Sequence, residues 1–311
     1  MATGELCKNS VLAGRNTCKA HIPKCNASTM AGNKCKLNAL DGESMCHIHL
    51  GKPMYVKPKP SSTITITFCD SAENHVGMQI VRSAKLPNAG FAYDMLRGMY
   101  EYDTEQRTYH GYVPSYSKPL EFIDLTIEGS PQACVLVIRN YLDKHITLME
   151  ELKSLDWDKK YYSYGTVKNK QARWNLVFAE DEQEPCYEDG KGRIVGWNSV
   201  PLLSSIKKDL DETYVLDTVA EGNYYYANTC GIGYHGDRER SYVIGLRVGD
   251  PMPLSFRWFK RTAQVGKTIN INLNGGDLYI MSDVAVGKDW LETSHLTLRH
   301  AAGADKYVNA K

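Results

Sequence analysis

No stretch of the 311 residues approaches the roughly 20 consecutive apolar residues needed to cross a bilayer. The opening "MATGELCKNS" lacks the apolar core of a secretory leader. A soluble intracellular protein, cytoplasmic or nuclear and not secreted, is therefore expected. Neither sign of charge dominates: 37 Lys and Arg against 36 Asp and Glu leave a formal net charge of +1. That balance excludes a global pull toward nucleic acid or membrane, so any such binding must come from local patches. Hydrophobic content of 42% and charged content of 23% are those of an ordinary globular protein. The length allows one large domain with one or two small ones.

Cysteine is sparse through most of the chain, where Cys69, Cys134, Cys186 and Cys230 are scattered and read as small buried side chains. Five others, Cys7, Cys18, Cys25, Cys35 and Cys46, crowd the first fifty residues. In a reducing compartment, thiols crowded beside histidines point to metal ligation rather than disulfides. The crowding follows an internal repeat: "CKNSVLAGRNTCKAH" at 7–21 matches "CKLNALDGESMCHIH" at 35–49 with an offset of 28 residues. With Cys25 upstream, the second copy reads Cys25-x9-Cys35-x10-Cys46-x2-His49, a ligand set of the kind tetrahedral structural zinc prefers. The first copy, Cys7, Cys18 and His21, is a partial site. Residues 1–50 are thus expected to form a small zinc-type module, because a segment so poor in large apolar side chains cannot fold by burial alone.

"GKPMYVKPKPSS" at 51–62 is a Pro- and Lys-rich linker. From 63 to 128 the pattern is a small α+β region, or an extension of the larger domain, with "STITITFCD" alternating as a half-buried strand does. His75 is there a lone imidazole. Residues 129–311 open with "ACVLVIRNYLDKHITLMEELKSLDWD", a buried strand followed by an amphipathic helix with Leu142, Ile146, Met149 and Leu152 along one stripe. Many short strands broken by Gly-rich turns follow, with one helix at "SVPLLSSIKKDLDE". The expected class is mainly β with flanking helices (α+β), a double-sheet or jelly-roll barrel.

In "GIGYHGDRER", residues i and i+2 of a strand point the same way, so His235 and Asp237 can aim an imidazole and a carboxylate at one centre. A second histidine from a distant strand would complete the two-His, one-carboxylate triad that holds Fe(II) with open positions. The stretch "NYYYANTCGIGYHGDRER" resembles the metal-binding segment of AlkB-type Fe(II)/2-oxoglutarate dioxygenases. "VLVIRNYLD", "QARWNLVF", "WNSVPLLSSIKKDL", "GGDLYIMSD" and "HLTLRHAAGADK" are similar, in order, to further segments of that family. The resemblance implies a double-stranded β-helix over roughly 131–311, with Asn223 and Tyr225 contacting 2-oxoglutarate and Glu239 at a later acidic position.

The carboxyl-terminal end departs from that pattern, since no histidine follows Gly276-Asp277 until His295. Strand parity favours His300 over His295 as the second iron ligand, because Leu296, Leu298 and His300 share one face. In a competing alignment this is the closing strand, and Arg299 pairs the 2-oxoglutarate carboxylate. Lys306 and Lys311 are the other cations nearby, with Arg240 and Arg247 in reserve.

Oxidative decarboxylation of 2-oxoglutarate coupled to hydroxylation of a C–H bond is the reaction the resemblance implies, with N-alkylated nucleic-acid bases as substrates. Reaching a base requires flipping it onto aromatic groups. "WDKKYYSYGTVKNKQARW" at 157–174 and "FRWFKRTAQVGK" at 256–267 intersperse aromatics with Lys and Arg as such contacts would. Two other readings stay open: a hydroxylase of a protein side chain, to which the prolyl-hydroxylase look of "TLRHAAG" points, and a non-catalytic zinc-module binding protein.

Overall fold

The structure is a computed structural model, and it describes residues 23–26, 34–40, 43–44, 46, 48, 62–84, 90–109 and 118–309. The linker at 51–61 lies outside them, as do His49, Cys7, Cys18, His21 and Lys311. The chain divides into two compact units, Met1–Lys59 and Pro60–Lys311. In the first, the described residues form an isolated bridge between Lys24 and Asn38, and Cys25, Cys35 and Cys46 are buried.

The second unit is mainly β with a few helices. Its first half runs β1 (Thr63–Cys69), β2 (Ser71–Glu73), β3 (Ile80–Arg82), α1 (Tyr93–Tyr109), β4 (Leu120–Asp124), β5 (Cys134–Ile138), α2 (His145–Lys153), β6 (Lys160–Ser163), β7 (Thr166–Asn169), β8 (Trp174–Ala179) and β9 (Ile194–Gly196). Then come α3 (Pro201–Tyr214), β10 (Val219–Tyr225), β11 (Gly231–His235), β12 (Val243–Gly249), β13 (Met252–Lys260), β14 (Ala263–Leu273), β15 (Leu278–Met281), α4 (Asp283–Val286), β16 (Leu296–Gly303) and α5 (Asp305–Val308). Eight strands make a large sheet in the order β4-β5-β15-β12-β1-β10-β8-β9, and four make a smaller one, β11-β16-β13-β14. The pairs β2–β3 and β6–β7 stand outside both.

Period-two alternation sorts the central strands of the large sheet between two cores, while Val177 and Ala179 of β8 and Ile194 of β9 join a smaller third one with Cys69, Ala72 and Val219. Ile64, Ile66 and Phe68 on β1, with Ile244, Leu246 and Val248 on β12, pack under Leu148 and Leu152 of α2 and Leu203, Ile206 and Leu210 of α3. On the opposite face Val135, Val137, Tyr225, Val243, Tyr279 and Met281 meet Leu254, Phe256, Ile271, Leu273, Leu298 and Ala302 of the smaller sheet. Helix α3 starts with Pro201, where the missing amide hydrogen costs nothing, and the Glu151 carboxylate of α2 accepts from the Leu202 and Leu203 amides at 3.0 Å. Among the described residues no helix is long and apolar enough to cross a membrane.

Two local expectations differ from the structure. Strand β1 is buried along all seven residues rather than half-buried, because helices cover one face, the smaller sheet faces the other, and β10 and β12 flank its edges. In α2 the buried stripe is Leu148, Met149 and Leu152, while Ile146 is 55% exposed; the helix begins at His145, so Leu142 precedes it and does not set its phase. The boundary at 128/129 also has no counterpart. β1 lies in the middle of the large sheet and β4 pairs with β5, so 63–128 and 129–309 share one core.

Candidate active site

β11 and β16 are antiparallel neighbours, and their register sets His235 directly opposite His300. The two ring centroids are 4.5 Å apart. Asp237 reaches the same centre, its Oδ1 3.7 Å from His235 Nε2 and its Oδ2 3.6 Å from His300 Nε2. Strand alternation is not what brings Asp237 in, since β11 ends at His235. Its amide instead donates to the Val286 carbonyl at 3.0 Å, which turns the chain back toward the centre. Gly236 makes that turn possible: a Cβ there would stand 2.0 Å from the Gly287 carbonyl oxygen.

The protonation of these groups follows from burial. His235 Nδ1 lies 2.8 Å from the Gly233 carbonyl, which fixes the proton on Nδ1 and leaves the Nε2 lone pair facing Asp237. Burial pulls the His235 pKa down against the attraction of Asp237. Burial and the neighbouring His235 push His300 down to about 4. Both imidazoles are therefore neutral at pH 7, the form that ligates metals. Burial is the largest influence on Asp237 and opposes its ionisation, but the surrounding groups, Arg240 foremost, together outweigh it and hold the carboxyl below the usual range. Two lone pairs and a carboxylate meeting beyond hydrogen-bond reach form a donor set for a divalent cation.

A buried polar chain holds this set in place. Arg240 donates to Glu221, stands 3.5 Å from Asp237 Oδ2 and 3.1 Å from Glu239 Oε1. Glu221 in turn accepts from Asn175 at 3.1 Å and from Asn223 at 2.9 Å, and the Asn223 oxygen accepts from Asn175 at 2.7 Å and from Arg173. Burial pushes Glu239 up to about 7.

The donor set lines a cavity of about 380 Å³ between the two sheets, and Asn223 and Tyr225 line it too. Arg247, held in reserve at the sequence level, also faces this cavity, and it is 1% exposed. Its Nη1 donates to Thr65 Oγ1 at 2.5 Å, and among the described residues its Nε has no hydrogen-bond partner. Burial pulls its pKa down, with Tyr279, Tyr225 and Asp277 opposing. Thr65 and Thr67, from the inward face of β1, line the same wall; nothing in "STITITFC" announced them except the alternating threonines. Half-exposed His75 and Trp290 and exposed Val76 mark the cavity mouth, where the His75 ring stacks on Tyr161 at 3.9 Å and 15°.

Arg299 and Lys306 do not reach this cavity, which corrects their assignment to 2-oxoglutarate. Arg299 neighbours His300 on β16 and so points to the other face of the smaller sheet, where it lies over Phe259 at 4.4 Å and Trp290 at 5.4 Å. Lys306 is exposed on α5 beside the Tyr307 ring. His295 is likewise outside, 3.2 Å from Asp289. In the N-terminal unit, Cys25, Cys35 and Cys46 bring one sulfur each within 4.8 Å of the others.

Fold and site together define a mainly β protein with a His–Asp–His donor set in a cavity between two sheets. No protein-family model matches the chain. A protein of Acanthamoeba polyphaga mimivirus, named uncharacterized protein R156, is 45% identical over 251 residues, which cover 79% of this chain and 97% of that protein. The chain belongs to the family of that mimivirus protein.

Proposed function

We propose that the protein is an AlkB-like Fe(II)/2-oxoglutarate-dependent dioxygenase that oxidises an N-alkylated nucleic-acid base. The observation that carries this reading is the meeting of His235, Asp237 and His300 in one cavity with a buried Arg247 whose side-chain partner is a hydroxyl. His235, Asp237 and His300 would hold the iron, leaving its remaining positions to the cavity. Bound there, Fe(II) supplies with 2-oxoglutarate and O2 the oxidising power for C–H hydroxylation.

The co-substrate is a small dicarboxylate, and the guanidinium of Arg247 with the Thr65 hydroxyl offers one of its carboxylates a charge-assisted contact. Asn223 and Tyr225 line the same space and orient it. Arg240, fixed by Glu221, keeps Asp237 ionised and aimed at the centre. A cavity of about 380 Å³ is of ordinary size for a small ligand.

The strand order supports a double-stranded β-helix in which the closing strand comes from the amino-terminal side. From β10 to β16 the chain passes between the sheets, giving β10, β12 and β15 to the large one and β11, β13, β14 and β16 to the small one. The eighth position, between β12 and β10, is filled by β1. This fits a co-substrate cation on β12 rather than on a strand beyond β16.

A base as substrate is supported by aromatic and cationic groups that pack on one another, of which His75 lines the cavity. Besides the His75–Tyr161 stack, Trp174 stacks on Tyr226 at 4.4 Å, Lys159 lies 4.6 Å from the Trp174 ring and Lys168 5.3 Å from that of Tyr164. The test is succinate formation by the purified protein with Fe(II), 2-oxoglutarate and O2. Release stimulated by an N-methylated oligonucleotide, and not by its unmodified twin, is expected. Absence of succinate with every oligonucleotide and without one would overturn the reading.

A further inference from the structure

The described residues of the N-terminal unit have the wrong interior for a protein held together by apolar burial. Among its described residues the buried cluster consists of Cys25, Cys35 and Cys46, at 4%, 8% and 0% exposure. Two large apolar side chains beside them turn outward, Leu37 at 40% and Ile48 at 46% exposure, and Leu40 is half-buried. Among the described residues, three thiols and Ala39 lie inside while Leu37 and Ile48 lie outside, against the usual preference of a small core for leucine and isoleucine.

Main-chain bonds bring the three cysteine-bearing segments together. The Cys25 amide donates to the Leu37 carbonyl at 2.9 Å, the Ala39 amide to Pro23 at 2.8 Å and the Asn26 amide to Ser44 at 3.0 Å. Lys24 Nζ adds a bond to Asn38 Oδ1 at 2.8 Å. The result places one sulfur from each cysteine within 4.8 Å of the others. Sulfurs sharing a tetrahedral zinc at about 2.3 Å stand about 3.8 Å apart, so the cluster is of the right size for one ion. A disulfide joins two sulfurs and leaves the third unused, whereas a thiophilic cation uses all three. Among the described residues no carboxylate belongs to the cluster, and a sulfur-rich set selects a soft or borderline ion over magnesium or calcium.

We propose that Cys25, Cys35 and Cys46 are three ligands of a structural Zn(II) ion that replaces a hydrophobic core in the N-terminal unit and is separate from the iron proposed for the His235, Asp237 and His300 set. The sequence spacing offers His49 as the fourth ligand. The ion forms no part of the oxidation chemistry, and the inference stands or falls independently of it.

The full-length protein, purified without added metal and dialysed against EDTA, is expected to retain one zinc per chain by elemental analysis. An organomercurial that caps thiols should then release that zinc to a colorimetric chelator. Asp237→Ala should keep it, whereas Cys35→Ser should lower its retention about tenfold or more. Because loss of a ligand in Cys35→Ser can unfold the unit, the wild-type protein is also reconstituted with Co(II) in place of zinc. A near-ultraviolet thiolate-to-cobalt charge-transfer band with the visible bands of tetrahedral Co(II) is expected. Wild-type protein that holds no zinc, or a cobalt spectrum without the thiolate band, would overturn the assignment. So would the broad visible absorption of an iron–sulfur cluster.

Discussion

His235 and His300 are register partners on β11 and β16, so hydrogen bonding between two strands brings together residues 65 positions apart in the chain. Asp237 adds the third donor by a turn that only glycine allows. The candidate site is therefore a product of the β11–β16 strand pairing, and changes that disturb the pairing or the turn should weaken metal binding.

Gly236→Ala tests the turn. The added methyl would lie 2.0 Å from the Gly287 carbonyl oxygen, a backbone atom that cannot swing aside as a side chain can. Overpacking of this kind costs about 1–3 kcal/mol. A lowered melting temperature and weakened Fe(II) binding are expected together, read by thermal unfolding and metal titration; a variant with wild-type values for both would contradict the geometry.

Arg247→Met should raise the KM for 2-oxoglutarate far more than it lowers kcat. A hydrogen bond to a charged group contributes about 1.5–3 kcal/mol, which corresponds to roughly a 10- to 100-fold change in affinity. Arg299→Met and Lys306→Met, whose side chains lie outside the cavity, should leave that KM unchanged. Steady-state kinetics of succinate formation at varied 2-oxoglutarate distinguishes the three.

Glu221→Gln should weaken the metal site without removing a ligand. Glu221 anchors Arg240, and Arg240 faces Asp237. Changes one step behind a metal ligand typically cost about 10- to 100-fold in metal affinity. Calorimetric titration with Fe(II) or Mn(II) should show that loss while the circular dichroism spectrum stays that of the wild type.

Metal-free protein should lose stability in mild acid. Burial and His235 lower the His300 pKa from the ordinary 6.5 to about 4 in the folded state. The unfolded chain therefore takes up the proton first, so the contribution is complete above about pH 6.5 and declines as pH falls toward 4. The loss is on the order of 3 kcal/mol. Urea unfolding from pH 7 to pH 4 should show this slope, and His300→Asn should flatten it.

Much of the site could be read from local sequence. His-x-Asp named two donors, and parity along "HLTLRHAAG" gave His300 its inward direction. Parity also carried the means to set Arg299 aside, since a neighbour of an inward residue faces outward. Arg247 was harder to rank, because an arginine alternating with Val243 and Gly245 on the inward face of β12 reads equally as a surface ion pair until its surroundings are known. The alternation of "STITITFCD" marked β1 as a strand but not its place: Thr63 pairs with Tyr225 on one side and with Gly249 on the other, contacts so distant in the chain that no local pattern encodes them. The mainly β class was legible because alternation is a local property, whereas the order of strands is not.

Anaerobic addition of Fe(II) and 2-oxoglutarate to the purified protein, followed by visible absorption, tests the central claim most directly. Chelation of the metal by the co-substrate should produce a weak charge-transfer band that is absent from Asp237→Ala and needs higher 2-oxoglutarate in Arg247→Met. A wild-type protein that gives no such band at saturating metal and co-substrate, or a band that persists undiminished in Asp237→Ala, would contradict it.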